Sequence, residues 1–134
     1  MEKLNELRDY LKAHDGLIDA SKVLVWSENG TFDFQRTDPI DPDYNFTTKQ
    51  TIYVFIGDYV GDVNVVHLMI LRWINDNVPS LKDNDLSFES DALDDEKFDL
   101  TYRFPLKNQV QVTVRDGNFK IDGLDLADVL KVPS

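Results

Sequence analysis

Thr48 to Pro79 reads TKQTIYVFIGDYVGDVNVVHLMILRWINDNVP. Ile52, Val54 and Ile56 point one way along an extended chain, and Thr51, Tyr53 and Phe55 point the other. Apolar residues on both faces predict a central strand. The segment GDYVGD, Gly57 to Asp62, predicts a turn, and either Asp58 or Asp62 has the chemistry to cap the helix that follows. At about 100° per residue, Val63, Val66, Ile70, Trp73 and Ile74 share one helix face, which predicts the core side. Val65, Leu68 and Met69 fall on the opposite side, with Arg72 and Asp76 among them. A helix apolar nearly all round is covered on both sides. The second side meets either another subunit or the N-terminal helix of the same chain. Asn75 to Pro79 ends the helix.

Outward from this stretch, Leu4, Leu7 and Leu11 recur at helical spacing. Their stripe is narrow and predicts a helix lying on a sheet. Lys22 to Glu28, KVLVWSE, predicts a strand, Asn29-Gly30 a hairpin turn, and Thr31 to Arg36 the return strand. TDPIDPD, Thr37 to Asp43, places Asp38, Asp41 and Asp43 on a loop with two prolines. Beyond the long helix, Ser80 to Asp99 is acidic, and LSFES within it predicts an edge strand. Charge on such an edge blocks stray pairing. Phe98, Leu100, Tyr102, Phe104 and Leu106 alternate with Asp99, Thr101 and Arg103. Val110, Val112 and Val114 repeat the alternation, which predicts two strands pairing antiparallel with one wet face. Asp116-Gly117 predicts another hairpin turn, Asn118 to Asp122 a short strand, and Gly123 to Ser134 a short tail. With no internal repeat or linker, residues 1–134 are expected to form a single domain. The expected fold class is α+β, a mixed and mainly antiparallel sheet with helices packed on one face.

The 134 residues carry a formal charge of −11, with 42% hydrophobic and 11% aromatic residues. That is enough apolar material for a core, and the pI of about 4.4 argues against a nucleic-acid surface. There is no cysteine, which excludes disulfides and thiolate-zinc sites. MEKLNELRDYLK is amphipathic and mixed in charge, unlike a signal peptide. No apolar run approaches the roughly 18 residues of a membrane span. A cytoplasmic protein with protein partners is expected.

Catalytic signals are sparse. His67 borders the core face of its helix, and no His or Cys stands at ligand spacing around it. It is expected to be a partly buried residue with one satisfied hydrogen bond. His14 sits at a helix end, where a cation suits the dipole. Asp83-Asn84-Asp85 resembles the start of a calcium loop, but Phe88 stands where the glycine is required. Gly57 and Gly61 belong to no phosphate loop, and the serines lack a nucleophile elbow. The chain is expected not to be an enzyme and to need no cofactor or metal.

From GDYVGD onward the sequence resembles the tail completion protein R family of contractile-tailed bacteriophages. The resemblance lies in the order TIYVFIGDY, Gly61-Asp62, a helix with Trp73 in LRWINDNVP, then LSFESDAL and FDLTYRFPL before a valine strand. It covers roughly Tyr44 to Val114. It implies a structural, tail-terminator-like protein. Such a protein sits as a ring, commonly hexameric, on the head-proximal end of the tail tube, stops tube polymerisation and prepares head joining. The implied partners are tail tube and sheath proteins, head–tail joining proteins and further copies of the chain. The implied location is the virion tail, assembled in the host cytoplasm. On this reading Val65, Leu68, Met69 and Arg72 contribute to the subunit contact. Asp38, Asp41 and Asp43, or the acidic run, reach a neighbour or tail protein. A small acidic adaptor in another tail-like bacterial machine is the alternative.

Overall fold

The computed structural model describes residues 2–34, 44–82, 84–115, 118–121 and 124–125. Among the described residues two α-helices, α1 (Glu2–Lys12) and α2 (Val63–Asn77), and a 3-10 turn at Ala20–Lys22 accompany six strands. The strands are β1 (Val23–Phe34), β2 (Tyr44–Val60), β3 (Ser87–Ala92), β4 (Lys97–Arg115), β5 (Asn118–Ile121) and β6 (Leu124–Asp125). The sheet order is β1-β2-β4-β5-β6, and β3 pairs β4 off this path. The β3–β4, β4–β5 and β5–β6 pairs are antiparallel. A mainly antiparallel sheet with two helices is the α+β class expected. Contacts gather in two compact units, Met1–Asn29 with Gln50–Leu106 and Gly30–Lys49 with Lys107–Ser134.

The first unit holds both helices and the large core. β2 is central, between β1 and β4, and its Ile52, Val54 and Ile56 are buried while Tyr53 and Phe55 are half-buried. Leu100, Tyr102, Phe104 and Leu106 of β4 are buried with them, as their alternation predicts. α2 covers this face with Val66, Ile70, Trp73 and Ile74, and Trp73 lies 6.5 Å from the Phe104 ring. α1 adds Leu7 and Leu11, both fully buried. Its Arg8 guanidinium donates to the Val25 carbonyl at 2.8 Å, tying the helix to β1. On the other sheet face the Trp26 and Tyr53 rings stack at 5.3 Å.

In the second unit, β5 pairs with the end of β4, Val112 opposite Ile121 and Arg115 opposite Asn118. That register is what a two-residue connection requires. The Asp116-Gly117 turn itself lies outside the described residues, as do Asp122, Gly123 and the tail from 126 on. Phe32 and Phe46 meet edge to face at 6.1 Å.

Three expectations are corrected. Asn29-Gly30 is no hairpin turn, because β1 runs through it to Phe34. A type I′ turn needs positive φ at both central residues. Here Asn29 has φ 59° and Gly30 does not share it, so the type I′ geometry is absent. The strands Phe98–Leu106 and Val110–Val114 do not pair with each other; they are one strand, β4. Their inward residues all carry even numbers, so the two-residue period never breaks and nothing at Lys107-Asn108 forces a turn. The turn placed at Gly57 to Asp62 is shorter than expected. β2 continues to Val60, and Gly61, at φ 132°, makes the break.

Candidate functional site

α2 decides the site, and its start is built by the Gly61 break. Asp62 is the cap: its carboxylate accepts from the Asn64 N–H at 2.9 Å and its carbonyl from the Val65 N–H at 3.0 Å. The Tyr59 hydroxyl donates to the same Asp62 carbonyl at 3.0 Å and pins the turn to the core. Asp58 does other work. Its N–H donates to Asp99 Oδ1 at 3.0 Å, and its carboxylate meets Lys22 Nζ at 3.3 Å.

The helix then presents four sectors. Its core sector is Val66, Ile70 and Ile74. Met69 belongs to a flank next to Trp73 and is only 7% exposed. Of the two covers open for the second apolar side, Met69 therefore takes the one within the chain. Met69 stands about 40° from Trp73 around the helix, and α1 covers that flank, with the Tyr10 hydroxyl donating to the Met69 carbonyl at 3.1 Å. The outward sector is Val65 at 38% exposure, Leu68 at 58%, and Arg72, also exposed. Asp38, Asp41 and Asp43 lie outside the described residues.

The fourth sector went unnoticed in the sequence. His67, Leu71, Ile74 and Val78 face an open cavity of about 540 Å³. Its other walls are Leu81 and Leu86 from the connection, Phe88 from β3 and Tyr102 from β4. Leu71 is 51% exposed and Phe88 52%, and Asn75 and Lys82 add polar groups to a largely apolar lining. His67 hydrogen-bonds the Tyr102 hydroxyl through Nδ1, and its ring lies 4.3 Å from Phe88. This is the partly buried, satisfied histidine that the sequence predicts. Burial, and next the neighbouring Tyr59 phenol, whose own ionisation would repel a second phenolate, push the Tyr102 phenol far above its ordinary value, so it stays protonated. Phe88 reaches this face because its register partner is Tyr102, and the pair leaves Glu89 opposite Thr101 on the far face. A sequence signal existed in the apolar residues Leu71, Leu81, Leu86 and Phe88, which no single helix or strand period joins.

The acidic connection between β3 and β4 is exposed. Asp94 accepts from the Glu96 N–H at 2.8 Å and the Lys97 N–H at 2.9 Å. These bonds hold its carboxyl below the usual range. Among the described residues no cluster of three or more His, Cys, Asp or Glu side chains is placed to hold a metal ion. No helix among them is long and apolar enough to cross a membrane.

The geometry offers surfaces for protein contact: an apolar row on α2, an apolar cavity beside it and an acidic edge beyond. The chain is 23% identical over 86 residues to the tail completion protein R of Escherichia phage P2. That alignment takes in 60% of this chain and 56% of the relative, so the chain spans little more than half of that protein's length. No solved structure matches. The family model for the P2 phage tail completion protein R (GpR) matches residues 1–126, and the chain belongs to that family.

Proposed function

We propose that this chain is a structural protein that completes a phage tail. It acts in the manner of a tail terminator, with a tail-terminator-like fold. Copies close a ring on the head-proximal end of the tube. The ring covers the growing end, stops polymerisation and offers a surface for head joining. Its partners are tube, sheath and head–tail joining proteins, and its place is the virion tail after assembly in the host cytoplasm. No catalysis is involved. Residues 1–134 serve as one domain, a reading supported by β1, β2 and β4 each supplying residues to both compact units.

The observation that carries the ring is the outward row of α2. Val65 and Leu68 remain exposed on a helix whose other sectors are packed or face a cavity. Heterologous contacts through such a patch close a ring when the rotation per subunit allows it. Arg72 on the same row gives the contact a cation in a chain of net charge −11. Electron microscopy of particles made without this protein tests the proposal. Overlong or headless tails are expected, and normal infectious particles would refute it.

A further inference from the structure

We propose that β3 is a docking edge for an extended segment of another protein in which apolar and basic residues alternate. The inference goes beyond the ring and stands whether or not the chain closes one.

Among the described residues β3 has one strand neighbour, β4. No described residue pairs with its other edge, which can receive a strand by main-chain hydrogen bonding. The register sorts its side chains. Phe88, Ser90 and Ala92 oppose Tyr102, Leu100 and Phe98 on the helix-bearing face. Glu89 and Asp91 oppose Thr101 and Asp99 on the other face. An incoming strand keeps the same two-residue period. Its residues on the helix side enter the cavity of about 540 Å³ between α2 and β3 and cover Leu71 and Phe88. Ser90 and Ala92 are small and leave that side open. Its residues on the far side stand beside Glu89 and Asp91, so a cation is the complement there.

Charge chooses the occupant. Two β3 strands of this chain edge to edge would bring Glu89 and Asp91 against their own copies, which disfavours a second copy. The same charges that block self-pairing select a basic strand. Apolar burial in the cavity supplies affinity, and the carboxylates supply choice and register.

The test uses the full chain, isotope-labelled, titrated at low salt with a blocked synthetic hexapeptide alternating valine and lysine. A peptide alternating valine and glutamate is the control. Saturable shifts of the amides of Ser87–Ala92 and of α2 near Leu71 are expected for the lysine peptide, with affinity at least tenfold above the control. The double variant Glu89→Lys, Asp91→Lys is expected to lose about tenfold for the lysine peptide and to gain for the glutamate peptide. Both positions are exposed, and the Asp91 change relieves a like-charge pair with Asp99, so the variant folds. The proposal is overturned by equal binding of the two peptides, by shifts that avoid β3, by no saturable shift, or by a double variant with unchanged preference. Concentration-dependent shifts of the β3 amides without peptide, from pairing between copies, would overturn it too.

Discussion

Replacing Leu68 by aspartate separates folding from assembly. Leu68 is 58% exposed, so folding removes less than half of its side chain from water. Complete burial of a leucine contributes roughly 1.5–3 kcal/mol, which leaves roughly 1 kcal/mol to lose here. Aspartate is also a poorer helix former than leucine by roughly 0.5 kcal/mol. The expected loss is roughly 1.5 kcal/mol, which a domain of about 5–15 kcal/mol survives. Urea unfolding followed by far-ultraviolet circular dichroism should show a lower midpoint with an unchanged slope. The same substitution places a carboxylate in the centre of the proposed contact, where an apolar side chain would otherwise be buried. Tail completion should fail although the protein is folded. Met69→Asp, one residue along, should not fold, because Met69 is packed between α2 and α1. A loss of 4 kcal/mol or more for Leu68→Asp would show, by the burial scale used above, a side chain covered within the chain. A stable Leu68→Asp protein that completes tails at the normal yield would refute the contact.

Three further outcomes test the local physics. Asp62→Ala removes the side-chain bond to the Asn64 N–H and should cost about 1 kcal/mol in urea unfolding, most of it restored by Asp62→Ser. Asp58→Ala breaks the exposed ion pair with Lys22, which is worth less than about 1 kcal/mol and fades with salt, so the two aspartates should respond differently to added sodium chloride. Tyr102 ionises at a higher pH folded than unfolded. Its contribution is therefore complete below the unfolded value of about 10 and is lost as pH rises above it. Unfolding midpoints measured through that range should fall with pH, and Tyr102→Phe should flatten the slope.

Much of the first unit is written in short-range periodicity. The core stripe of α2, the inward residues of β4 and the two-faced apolarity of β2 need only a period of 3.6 or 2 and an apolar side chain. The acidic edge strand β3 is legible for the same reason. Turns were harder. Asn29-Gly30 has the composition of a hairpin, yet only Asn29 takes the left-handed conformation and β1 continues. At Lys107-Asn108 polarity suggests a turn, but the unbroken parity of the valines was the stronger signal.

The opening stretch shows where the division falls. By itself the sequence of Thr48 to Pro79 determined a buried strand, a break containing Gly61 and a helix with one core stripe, because each is set by residues a few positions apart. Only the tertiary structure decided that Asp62 and not Asp58 is the cap, since β2 extends to Val60 and Asp58 is turned toward Lys22 and Asp99. Only it placed Met69 inside, His67 on Tyr102 and a cavity beside Leu71. The flanks of a helix are covered by whatever packs there. Here those neighbours are Tyr10, 59 positions from Met69, and Tyr102, 35 positions from His67, and no local period records such distances.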